Sequence, residues 1–157
     1  MIKNLPFLGV WRGSGEVLPG IQYEEELTLE LFGTPVANQV RFGSKTWKAG
    51  ESYESSPMHS EYGMMKVMYR DEENASVELL LTHPFGMAEI ETGELANRVL
   101  ETRTFSISRS PTASNTVVEG IRRRYWLDND TLRYELFLKL TGREEFLHLQ
   151  AGLVKNR

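Results

Sequence analysis

Apolar and polar positions alternate with period two along most of the chain. The clearest run is Leu132-x-Tyr134-x-Leu136-x-Leu138-x-Leu140, with Arg133, Glu135 and Lys139 between its apolar positions. That period sends side chains alternately to the two faces of a strand. Turn signals interrupt such runs at Pro19-Gly20, Gly33-Thr-Pro35, Ala49-Gly50, Asp71-Glu-Glu-Asn74, Pro84-Phe-Gly86, Gly93, Pro111-Thr-Ala-Ser-Asn115, Asp128-Asn-Asp130 and Thr141-Gly142. Between them lie about ten segments of roughly 7 to 13 residues, rich in Val, Thr, Tyr, Phe and Trp. Asp128-Asn-Asp130 predicts a tight hairpin. Helical pattern is confined to a short N-terminal turn before Gly9 and to Gly93–Val99. So much strand exceeds the usual share in globular proteins. An antiparallel barrel accommodates it, because closure leaves no unpaired edge. The expected fold is all-β: one lipocalin-like, ten-stranded antiparallel barrel spanning residues 1–157. Ten strands enclose more room than eight, whose interior side chains nearly fill, so a ligand cavity is expected.

Composition narrows the function classes. The 157 residues carry a net charge of −4, which disfavours a nucleic-acid partner. The basic run Arg122-Arg123-Arg124 does not change this, since at strand spacing its side chains alternate between faces. With no cysteine, disulfides, thiolate ligands and covalent c-type haem attachment are excluded. The first residues, Met-Ile-Lys-Asn-Leu-Pro-Phe-Leu, offer no apolar stretch long enough for a signal peptide or membrane span. A soluble, cytoplasmic protein without a membrane partner is expected.

Candidate chemistry is sparse. In Gly9-x-Trp11-x-Gly13-x-Gly15 all four residues face one side of a strand. Trp11 would fill one end of a barrel, and the glycines Gly9, Gly13 and Gly15 would permit bending or close approach. His148 lies in Glu145-Phe-Leu-His-Leu-Gln-Ala-Gly-Leu-Val154. Phe146, His148, Gln150, Gly152 and Val154 share one face; Leu147, Leu149, Ala151 and Leu153 share the other. Binary patterning puts the leucines inside and His148 outside. A cavity for a flat ligand would instead turn His148 and Gly152 inward. Leu147, Leu149 and Leu153 would then form an outward self-association patch supporting a homodimer. The pattern leaves both arrangements open. His83, in Thr82-His-Pro-Phe-Gly86, reads as an exposed or loop-capping turn residue. His59, in Pro57-Met-His-Ser-Glu-Tyr-Gly63, shares its strand with Met58, Met64 and Met65, adaptable cavity-lining residues. These three histidines lack the short ligand spacing of zinc motifs, and zinc is not expected. No serine elbow, phosphate loop or paired-carboxylate motif can be read from spacing.

Taken in order, several segments resemble the nitrobindin family of haem-binding β-barrels. They are Phe7-Leu-Gly-Val-Trp-Arg-Gly-Ser-Gly15, Tyr23-Glu-Glu-Glu-Leu27, Lys45-Thr-Trp47, Pro57-Met-His-Ser-Glu-Tyr-Gly63 and His83-Pro-Phe-Gly86 with Glu89-Ile-Glu91. Arg123-Arg-Tyr125, Leu132-Arg-Tyr134 and His148-Leu-Gln-Ala151 complete the set. The resemblance covers nearly the whole chain and implies the same ten-stranded barrel. It further implies one non-covalent haem b per chain, with His148 as the iron's protein ligand and His59 on the distal side. The family's ferric members are credited with isomerising peroxynitrite to nitrate and with binding nitric oxide. Two haem-edge positions depart from the family pattern. Gly20 stands where many members carry a haem-contacting Thr. Ser114 stands where a Lys often faces a propionate. Each lost contact would weaken haem binding by about 1 kcal/mol. The alternative from another class is a haem-free carrier of a fatty acid or similar hydrophobic ligand in the same barrel.

Overall fold

The computed structural model describes residues 5–34 and 38–156. Ten strands follow in chain order: β1 (Gly9–Val17), β2 (Ile21–Leu31), β3 (Gln39–Lys48), β4 (Pro57–Tyr69), β5 (Ala75–His83), β6 (Met87–Ala96), β7 (Val99–Arg109), β8 (Val118–Asp128), β9 (Thr131–Leu140) and β10 (Phe146–Lys155). Each pairs antiparallel with its chain neighbours, and β1 pairs with β10 to close the barrel. The hairpin at Asn129-Asp130 joins β8 to β9 as the turn signal predicts, with Asn129 at φ 54°.

Among the described residues there is no helix. Pro6 and Phe7 form a turn, and residues 1–4 of the anticipated N-terminal helical turn lie outside the described residues. Gly93–Ala96 belongs to β6. Its backbone is pressed against β7, so that a Cβ on Gly93 would sit 1.8 Å from the Glu101 carbonyl oxygen. The glycine permits this close strand contact and is a poor helix former.

The barrel interior is divided. One half is packed with Phe7, Trp11, Leu29, Val67, Val77 and Leu153, all at most 3% exposed. The Trp11 indole N–H donates to the Phe7 carbonyl at 2.9 Å, pinning the N-terminal segment into that end. Trp11, Gly13 and Gly15 pair with Leu27, Glu25 and Tyr23 respectively, residues that are all buried. Gly15 has a specific reason to be glycine: a Cβ there would lie 2.3 Å from the Tyr23 ring and 2.7 Å from the Gln150 carbonyl oxygen. Gly15→Ala is therefore expected to lower unfolding stability by about 1–3 kcal/mol through overpacking. Urea denaturation with an unchanged midpoint would contradict this.

β10 resolves its two-faced pattern by a means strict alternation does not contain. Leu147 pairs with Phe137 and Leu149 with Leu136, so His148 is the extra residue of a β-bulge. Beyond the bulge the leucine face points inward: Ala151 is 9% and Leu153 0% exposed, while Gln150 and Val154 are exposed. Gly152 thus does not share an inward face with His148. The expected outward patch of Leu147, Leu149 and Leu153 does not form, because Leu153 is core and Leu149 faces the cavity.

Candidate functional site

The other half of the barrel is hollow. At the end where β4 and β10 begin, a cavity of about 320 Å³ opens between the strands. Val17, Val118, Ile121, Leu136, Leu138 and Leu149 give it apolar walls. His59, Glu61, His83, Arg123, Tyr134 and His148 supply polar groups.

His148 reaches the cavity because of the bulge, which lets it and Leu149 line the same space. Its ring meets the Phe146 ring edge-on at 6.2 Å. Among the described residues neither ring nitrogen has a hydrogen-bond partner. Burial, followed by the nearby His59, pushes its pKa down, so the imidazole is neutral and carries a free lone pair. His59 lies four strands away round the barrel, on β4. Gly20 and Ser114 occupy exposed turns and do not line the cavity; Asn115 does.

Beneath the cavity lies a network of charges that sequence reasoning missed. Arg123, 2% exposed, donates through Nε to Glu91 at 2.7 Å and through both terminal nitrogens to Glu61 at 2.5 and 3.1 Å. His83 Nε2 is 2.5 Å from Glu89 Oε2, and Glu89 Oε1 accepts from the Thr104 hydroxyl at 2.8 Å. The Thr102 hydroxyl donates to Glu91 at 2.8 Å. His83 is therefore buried, not an exposed turn residue, since closing β5 beside β6 carries it inward next to Glu89. Burial alone would raise the Glu61 carboxyl, but Arg123 and His59 hold it well below the usual range. Burial and the neighbouring Glu89 raise Glu91, with Arg123 opposing. The Arg123 guanidinium, despite burial, stays charged against Glu61 and Glu91.

A second group joins the network beside β2. Tyr134 Oη donates to Glu25 Oε1, the Ser44 hydroxyl donates to Glu25 Oε2 at 2.7 Å, and Tyr23 and Tyr134 share a hydrogen bond of 2.7 Å. Burial pushes Glu25 up from the ordinary 4.5 to about 7, with the Tyr134 and Ser44 hydrogen bonds offsetting part of it. Between those values the folded protein keeps a proton that the unfolded chain has released. This contribution to stability is full below pH 4.5 and is lost as the pH rises through 7. Glu25→Gln, which has no proton to lose, should remove this pH-dependent loss, gaining about 1–3 kcal/mol over the wild type at pH 8 and almost nothing at pH 4.5. Parallel urea titrations across that range with a constant difference between the two proteins would rule this out.

A signal for these groups was present in the sequence. His59-x-Glu61 and Glu89-x-Glu91 carry period two inside strand runs, which puts both members of each pair on one face. What spacing does not reveal is that both faces are inward.

Comparison with known proteins places this barrel. Residues 2–155 match the model of the THAP4-like, heme-binding beta-barrel domain. The chain belongs to this family, that of the nitrobindins. A peroxynitrite isomerase 2 of Mycobacterium avium (strain 104) is 35% identical over 97% of this chain and 92% of its own. The peroxynitrite isomerase of Frankia casuarinae is 32% identical over 95% of this chain and 82% of its own. The crystal structure of Rv2717c from M. tuberculosis superposes with a TM-score of 0.78 at 31% identity, covering 97% of this chain and 94% of that one. This nitrobindin-family chain is thus a haem-binding β-barrel with the cavity in its hollow half.

Proposed function

We propose that the chain holds one non-covalent haem b through His148 and isomerises peroxynitrite to nitrate, with nitric oxide as a further ligand. One observation carries this reading: an imidazole free of hydrogen bonds at a bulge, facing an apolar-walled cavity in a haem-binding family. A neutral imidazole lone pair is the donor a haem iron takes. The haem supplies an iron centre with an open coordination position when bound; ligation, polarity and access come from the protein.

The chain's own residues have distinct tasks. Val118, Ile121, Leu136, Leu138 and Leu149 exclude water from the cavity and favour a flat apolar ligand. His59, half-buried on the opposite wall, is the polar group available to a small oxyanion on the distal side. Glu61 and Glu89 hold the histidine pair His59 and His83 in place from beneath.

The deciding experiment is a titration of haem-free protein with ferric haem, followed by mixing the complex with peroxynitrite. A Soret band saturating at one haem per chain, with nitrate formed faster than by free haem, is the expected result. An unchanged spectrum at micromolar haem would refute the reading. Lipid co-purifying with such a protein would establish the carrier alternative.

A further inference from the structure

Three metal-ligating atoms converge on the cavity wall away from His148. His59 Nε2 lies 3.2 Å from His83 Nδ1 and 3.3 Å from Glu61 Oε1, and His83 Nδ1 lies 3.4 Å from Glu61 Oε1. We propose that His59, Glu61 and His83 form a binding site for a divalent cation of the zinc class, with its remaining coordination position facing the cavity.

The triangle has the size a tetrahedral ion demands. Metal–ligand bonds of about 2.0–2.1 Å at the tetrahedral angle place ligand atoms about 3.3 Å apart. Two imidazoles with one carboxylate is also a donor set of catalytic zinc centres, which leave one position open. All three residues line the cavity, so that position opens into it.

Proton counting points the same way. A neutral His83 that donates its Nε2 proton to Glu89 has a bare lone pair on Nδ1. The Glu61 carboxylate accepts only. The His59 Nε2–H is then the single proton available to the three converging atoms. It can satisfy one contact, and the 3.4 Å approach of His83 Nδ1 to Glu61 remains lone pair against lone pair. A cation satisfies all three.

The supporting residues are already in place. Glu89 orients His83 from its far nitrogen, and Thr104 in turn holds Glu89, an arrangement that fixes metal-binding histidines elsewhere. Arg123 clamps Glu61 through two hydrogen bonds, yet each carboxylate oxygen retains a second lone pair. Arg123 contacts Glu61 and Glu91, and His83 contacts Glu89, so acidic groups flank the three converging atoms. The local fold makes the site compact. His59 and Glu61 lie two apart on β4, and the Tyr62–Thr82 pairing, continued one step, sets Glu61 beside His83.

This site does not depend on haem, and its test uses the haem-free, tag-free full chain. After chelator treatment, zinc is titrated by calorimetry and cobalt(II) by visible absorbance. The expected result is one ion per chain with micromolar or tighter affinity, and the intense d–d bands of tetrahedral cobalt. His59→Ala should weaken zinc binding by about 100-fold or more, at least the upper end of what losing a supporting residue costs. Because His59 is half-buried, that variant is the one to rely on if His83→Ala fails to fold. His148→Ala should keep zinc binding while losing the Soret band, which separates this proposal from the haem assignment. No uptake at about 100 μM zinc, well above the expected affinity, would overturn it, as would equal affinity in His59→Ala.

Discussion

His148→Ala is expected to lower haem affinity by more than about 100-fold and to abolish the Soret band at micromolar haem, since it removes the side chain proposed to hold the iron. The size of the effect follows from the cavity. The other lining residues on β9 and β10, Tyr134, Leu136, Leu138 and Leu149, are apolar or already hydrogen-bonded, so none of them is free to replace the imidazole. Alanine at a bulge, half-exposed and without hydrogen bonds to lose, should cost the fold little. Absorbance titration beside a urea denaturation curve separates the two quantities. Haem retained with an unchanged Soret band in this variant would remove His148 from the site. Loss of haem only through unfolding would appear as a lowered denaturation midpoint.

Arg123→Met is expected to cost about 3–5 kcal/mol of stability at neutral pH, the largest loss of any single substitution considered. Arg123 is flanked by Glu61 and Glu91, which are 6% and 0% exposed, and removing it leaves both carboxyls buried without their cation. Such groups escape by taking up protons. Their folded pKa values then rise above the unfolded 4.5, so the variant's stability is retained below that pH and falls as the pH rises. The deficit relative to the wild type should therefore be larger at pH 8 than at pH 5. Denaturation curves at both values test this. A loss under about 1 kcal/mol at pH 8 would show that the pair contributes little beyond a hydrophobic replacement.

The barrel joins two kinds of interior in one closed sheet. Its packed half is built on Trp11, Phe7 and Leu153, and its hollow half carries His148, His59 and the buried charges. A site on strands of a closed sheet gains precision from every neighbouring ladder.

Much of this was legible in the chain. Leu132, Tyr134 and Leu136 read as one inward face and are buried, while Arg133 is exposed. Arg122-Arg123-Arg124 reads as alternating, and Arg123 alone is buried between two neighbours that pair on the outer surface. The Asp128–Thr131 hairpin and the inward glycine motif follow from turn chemistry and period two. Strand number and order are local consequences of such patterns, because apart from the closing β1–β10 pair each strand pairs with its chain neighbours.

The site was less legible, for physical reasons that differ by residue. Glu25, Glu61, Glu89 and Glu91 look like solvent-facing charges, and only partners from distant strands make their burial tolerable. Arg123 is 62 residues from Glu61 and 32 from Glu91, separations no local pattern reports. His83 read as a turn residue because its inward neighbour Glu89 becomes one only when β5 pairs with β6. Sequence by itself determined the barrel and its period-two faces, since these depend on short-range alternation and turn chemistry. Tertiary structure alone decided that one inserted residue at the β10 bulge turns His148 and Leu149 to the same cavity. It also decided that His59, Glu61 and His83 meet, because the pairing of β4 with β5, and not spacing along the chain, brings their ligand atoms within 4.8 Å of one another.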